Sequence, residues 1–133
     1  MHDDDVAAMV VTPGADLRYI AGYDAKPLER LTALVIPRDG SPVLVAPALE
    51  AGEARESTFA RSGGDVITWT ETQDPFLIVA DLVYDGASGA IAVDDHMWAQ
   101  RVLRLRQVIN DRPQVLAGSI LNDLRQQKTS SEI

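Results

Sequence analysis

Six short apolar runs, each stopped by proline, glycine or a polar residue and separated by stretches of other character, limit what this chain can become. They occupy residues 6–12, 32–36, 43–46, 66–70, 90–93 and 115–117 and are rich in valine and isoleucine. β-Branched and aromatic residues suit strands, and the intervening segments carry helical spacing. Strands alternating with helices at short intervals predict an α/β domain.

The runs at 32–36 and 43–46 flank Pro37-Arg38-Asp39-Gly40-Ser41-Pro42. Asp-Gly between apolar strands predicts a hairpin with positive φ at the turn. The prolines lack N–H donors and suit the ends of a ladder. Residues 15–22 predict one or two helical turns ending at Gly22, with Leu17 and Ile20 three apart. Residues 48–60, rich in alanine and glutamate, predict one continuous helix before Gly63-Gly64.

Asp74-Pro75 reads as an N-cap followed by proline at the first helical position. Phe76, Val79, Ala80 and Val83 then share an inner face, and Gly86 ends the helix. Asp94 or Asp95 is expected to cap a further helix with a stripe of Trp98, Val102, Leu105 and Ile109. Ser119 is expected to cap residues 120–127, with Ile120, Leu121 and Leu124 facing inward. Thr129-Ser130-Ser131-Glu132 has the spacing of a capping box, which starts a helix.

The chain has 133 residues, 46% of them apolar, which is enough for one domain with its own core. It contains no cysteine, so disulfides, thiolate metal sites and cysteine nucleophiles are excluded. A net charge of −8 opposes binding to nucleic acid or anionic lipid. The apolar runs fall far short of the ~20 residues of a membrane span. Met1 is followed by acidic residues, whereas a signal peptide opens with positive charge. A cytoplasmic protein is expected, with no nucleic-acid or membrane partner.

Arg101, Arg104 and Arg106 form the only basic cluster and read as a solvated helix face. His2 among Asp3, Asp4 and Asp5, and His96 after Asp94-Asp95, do not read as converging metal ligands. There is no G-x-S-x-G turn, dinucleotide fingerprint or P-loop. The residues taken alone display no complete active site.

Five segments in order carry a family pattern. Residues 12–23, TPGADLRYIAGY, resemble the "(N/D)-hydrophobic-x-Tyr-hydrophobic-x-Gly-aromatic" segment of creatinase/prolidase N-terminal domains. Pro27-Leu28-Glu29-Arg30-Leu31 is similar to that family's entry into its next strand, and PVLVAPALE (residues 42–50) to the hairpin partner that follows. Trp69, Glu71, Asp74 and Pro75 match an aromatic-x-(E/D)-x-x-(D/N)-Pro segment. Leu124-Arg125, Lys128-Thr129 and Glu132-Ile133 resemble the junction into the family's catalytic domain.

The resemblance implies a mixed β-sheet of about six strands flanked by helices, ribonuclease-H-like, over residues 1–128. Residues 129–133 would begin the junction helix. It further implies a non-catalytic N-terminal domain of a proline-specific peptidase of the Xaa-Pro dipeptidase or aminopeptidase type. In that family a catalytic domain outside this chain holds two divalent metals (Mn, Co or Zn) through two Asp, one His and two Glu. No cofactor or metal is expected in this chain itself. The implied partners are that catalytic domain, a second copy in a homodimer, and Xaa-Pro peptides as substrate. Candidate pocket-wall or dimer-contact residues are Arg30 and Trp69 first, then Glu29, Tyr19, Tyr23 and Asp74. The alternatives are a creatinase-like amidinohydrolase and a stand-alone α/β binding module.

Overall fold

The computed structural model describes residues 6–25, 29–83, 89–110 and 112–118. The first apolar run forms β1 (Val6–Val11), buried along its whole length. A strand with no polar face fits only where both sides of a sheet are covered, and β1 lies inside the sheet. The others are β2 (Ala33–Pro37), β3 (Val43–Pro47), β4 (Asp65–Trp69), β5 (Ala90–Val93) and β6 (Gln114–Leu116). The sheet order is β4-β3-β2-β1-β5-β6.

β2 is antiparallel to both β1 and β3, whereas the pairs β3–β4, β1–β5 and β5–β6 are parallel. Five strands therefore point one way and β2 the other. Their carboxyl ends gather along one edge, together with the amino end of β2.

The helices divide between the two faces. On one face α1 (Ala15–Ala21), α2 (Ala51–Arg55) and α3 (Thr58–Arg61) lie over a core that includes Met9, Val11, Leu17, Leu34, Leu44 and Ala54. On the other, α4 (Pro75–Val83) and α5 (Ala99–Val108) cover Val10, Val35, Val45, Ile91 and Val93 with Val79, Val83 and Leu105. A register shift between Val6 and Ala8 puts Ala7 and Ala8 on the same side, so the strand's alternation resets there. Such a bulge inserts one extra residue opposite its partner.

The hairpin forms with Ala33 opposite Val45 and Val35 opposite Val43. Its expected turn chemistry does not. Five residues, 38–42, connect the strands, and neither Asp39 nor Gly40 has positive φ. The longer loop reverses the chain without a left-handed residue.

The single helix expected over 48–60 is three pieces: a 3₁₀ turn at Ala48–Glu50, then α2, then α3. Ser57 is the cause. It is extended, its hydroxyl donates to the Ala54 carbonyl at 2.6 Å, and the same oxygen accepts from the Ala60 N–H at 3.3 Å. A serine that offers the backbone these alternatives ends one helix and starts the next. Gly22 closes α1 in the left-handed region, and a Cβ there would strike the Thr58 side chain at the start of α3. Glycine is required on both counts.

Asp74 does cap α4, accepting from the Phe76 N–H at 3.0 Å, and Val79, Ala80 and Val83 are buried as expected. The caps and stripe expected for α5 need correction. Trp98 holds the N-cap position with no side-chain cap. Asp94 instead accepts from the Thr12 N–H and hydroxyl at 2.8 and 2.9 Å, and Asp95 from the Gly118 N–H at 2.9 Å. The buried stripe is Arg101, Leu105 and Ile109, while Trp98 is 40% exposed. Arg101 thus leaves the solvated face assigned to it. Gly86 and the elements expected from Ser119 onward lie outside the described residues.

Candidate functional site

The edge where the carboxyl ends meet carries most of the chemistry. Trp69 is the last residue of β4, and its nearly buried ring projects toward the segment that enters β2. Its indole Nε1 donates to the Leu31 carbonyl at 2.9 Å. Buried indoles need such a partner, and this one ties the chain before β2 to the end of β4. Leu31 goes inward and Arg30 outward, where its Nη2 donates to Glu71 Oε1 just past β4.

Arg30, Trp69, Thr70 and Glu71 join Pro47, Ala48 and Leu49 around a notch of about 200 Å³. Leu49 is 78% exposed at its lip. The structure therefore brings together the two foremost candidates, which are 39 positions apart in sequence. The arrangement is an apolar floor under an exposed ion pair, suited to holding an apolar side chain beside a polar group.

The other candidates fall elsewhere. Glu29 borders a second cavity of about 620 Å³ with Phe76, Trp98, Gln100, Arg101 and Arg104. Asp74 accepts from Arg104 Nη2 while it caps α4, so it locks α4 to α5. Tyr19 is half-buried on α1 and borders neither cavity. Tyr23 belongs to the core beneath α1 and α2. Its hydroxyl has no hydrogen-bond partner among the described residues, and burial, aided by the Glu50 and Glu53 carboxylates, pushes its pKa up to about 12.

Two residues of this edge do not play the parts the sequence suggests for them, a helix cap and a solvated face. Asp94, at the end of β5, is buried, and desolvation lifts its carboxyl above the ordinary range against the pull of the Thr12 hydrogen bonds. Arg101 is 5% exposed, and its guanidinium carbon lies 4.4 Å from the centre of the Trp98 ring. Burial lowers its pKa, while the Asp94 charge acts the other way. Its place four residues before Leu105 was the available signal. Among the described residues, no group of three or more His, Cys, Asp or Glu side chains could hold a metal ion. No helix among them is long and apolar enough to cross a membrane.

Comparison with known proteins agrees with this architecture. The "Probable dipeptidase PepE" of Mycobacterium tuberculosis is 41% identical over 131 residues, which are 98% of this chain and 34% of that protein. The crystal structure of dipeptidase PepE from Mycobacterium ulcerans superposes with a TM-score of 0.83 at 41% identity, covering 93% of this chain and 33% of that one. The N-terminal domain of the Xaa-Pro dipeptidase from Lactobacillus brevis shares the fold, with a TM-score of 0.77 at 21% identity and 92% of both chains covered. This chain thus spans about a third of the length of the first curated relatives it matches. The family model described as "Creatinase/Prolidase N-terminal domain" matches residues 1–127. With that match and a mixed six-stranded sheet between two helical layers, the chain belongs to the creatinase/prolidase N-terminal domain family.

Proposed function

We propose that this chain is the non-catalytic amino-terminal part of a cytoplasmic, proline-specific metallopeptidase, and that its carboxyl edge supplies a wall of the substrate pocket and contacts of a homodimer. The observation that carries this reading is the convergence of Arg30 and Trp69 on one notch. In open α/β sheets, ligands bind outside the carboxyl ends of the strands. The notch has an apolar floor for a compact side chain and a guanidinium at its rim. The relatives named as dipeptidases support a peptidase over an amidinohydrolase.

The reaction is hydrolysis of an Xaa-Pro bond by a catalytic part outside this chain. Two divalent cations (Mn, Co or Zn), held by that part and not by this chain, would supply an activated water and Lewis acidity at the scissile carbonyl. This chain's residues bind and orient. Arg30 presents donors held by Glu71, and Trp69 fixes that segment through the Leu31 carbonyl.

The test is steady-state kinetics of the full-length polypeptide on Xaa-Pro dipeptides in Mn²⁺, with its mass in solution measured alongside. Arg30→Ala is expected to raise KM about tenfold, which corresponds to ~1.4 kcal/mol, with kcat little changed. Trp69→Phe should act in the same direction by releasing Leu31. The 133-residue chain alone should cleave nothing, whichever metal is added. An unchanged KM in both variants, a monomeric mass, or metal-dependent cleavage by the chain alone overturns the corresponding part of the reading.

A further inference from the structure

The cavity that Glu29 borders is separate from the notch and is of a different kind. We infer that it binds a free α-amino acid with an apolar side chain, its carboxylate toward Arg101 and Arg104 and its ammonium toward Glu29. This inference rests on this chain's own side chains and is independent of the peptidase reading.

Size comes first. Small-molecule sites occupy about 300–1,000 Å³. This cavity encloses about 620 Å³, and the notch beside Trp69 only about 200 Å³. Its position is also suitable. Phe76 and Gln100 are the second residues of α4 and α5, so the cavity opens between the amino ends of two helices that follow strands of the sheet.

The lining then narrows the ligand. Phe76 and Trp98 supply aromatic surface. Arg101 is a buried cation on the lining, held against the Trp98 ring. Arg104 gives one N–H to Asp74 and another to Gln107, and a guanidinium has five. It can therefore donate to a further carboxylate without releasing α4.

A simple anion meets the Glu29 carboxylate on the same lining. A simple cation meets the two arginines. Glu29 is the only acid among the described residues of the lining. A ligand with both charges and an apolar body between the rings brings no net charge into this balance and matches every wall.

The probes are L-phenylalanine, N-acetyl-L-phenylalanine and L-phenylalanine amide, titrated into the isotope-labelled chain and followed by amide and indole NMR shifts. Saturable shifts at Phe76, the Trp98 indole and Gln100 are expected with L-phenylalanine. Removing either charge from the probe should weaken binding at least tenfold. Glu29→Gln should abolish the preference for the free ammonium, and Arg104→Met the preference for the free carboxylate. Glu29 is exposed and makes no described hydrogen bond, so its variant tests the site even if loss of the Asp74 link unfolds the other. Absence of saturable shifts, shifts confined to residues remote from the cavity, or equal binding of the N-acetyl probe overturns the inference.

Discussion

Asp94 shows how a single side chain can be placed by energetics that no sequence pattern announces. As an aspartate before a helix it reads as a cap, yet it sits buried at the end of β5 and gathers the Thr12 N–H and hydroxyl. The cost is electrostatic, since desolvation lifts its carboxyl above the ordinary value of about 3.9. The folded chain therefore holds this proton more tightly than the unfolded chain. The penalty is absent below the ordinary value, and stability is lost as pH rises from there through the raised folded value. Asp94→Asn keeps the acceptor for Thr12 but cannot ionise. Chemical denaturation from about pH 3 to pH 7 should show wild type losing ground to the variant across that window and a constant difference above it. A constant difference throughout would mean that the Thr12 hydrogen bonds fully offset the desolvation of Asp94. Arg101 carries the complementary lesson: an arginine on a helix face looked solvated because its partners lie on β5 and at Trp98, 7 and 3 residues before it.

At the scale of elements, what periodicity and punctuation encode was legible, and what tertiary partners decide was not. All six strands were readable because short β-branched runs ending at Pro, Gly or an acidic residue have few other uses. The cap and inner face of α4 were readable because Asp74-Pro75 acts locally. The failures share a cause. Residues 48–60 have the composition of one helix, and the two-way hydrogen bonding of Ser57 divides α2 from α3. The hairpin turn was misjudged because a five-residue loop relieves Asp39-Gly40 of any need for positive φ. Ser57→Ala should cost about 1 kcal/mol, the usual worth of an N-cap. The loss should appear as faster amide exchange in α3 than in α4. Uniform protection across both helices would assign the break to packing instead. Of the candidate residues, the sequence brought Arg30 and Trp69 forward, and the fold sets them around one notch. The places of Asp74 between α4 and α5 and of Tyr23 in the core depend on tertiary partners.

On the scale of the whole molecule, the two helical layers are not independent. β1 gives Val10 to one core and Met9 and Val11 to the other, and β2 divides Val35 and Leu34 in the same way. Neither layer can detach without exposing a strand that the other needs, so unfolding should be one cooperative transition. Amide exchange of α2 and of α5, measured in rising urea, should converge on one free energy with one slope. Separate limits for the two helices would show that the layers melt apart. The reversed direction of β2 has a consequence for how such a chain can diversify. Five strands deliver residues to the carboxyl edge as they end, so their positions there are set by the sheet. Arg30 reaches that edge before its strand has begun, at the end of a connection whose length the sheet does not dictate. Lengthening or shortening that connection can change what stands above the notch while every hydrogen bond of the ladder stays as it is. Related chains can thus acquire new preferences by insertion and deletion at one place, with no revision of the core.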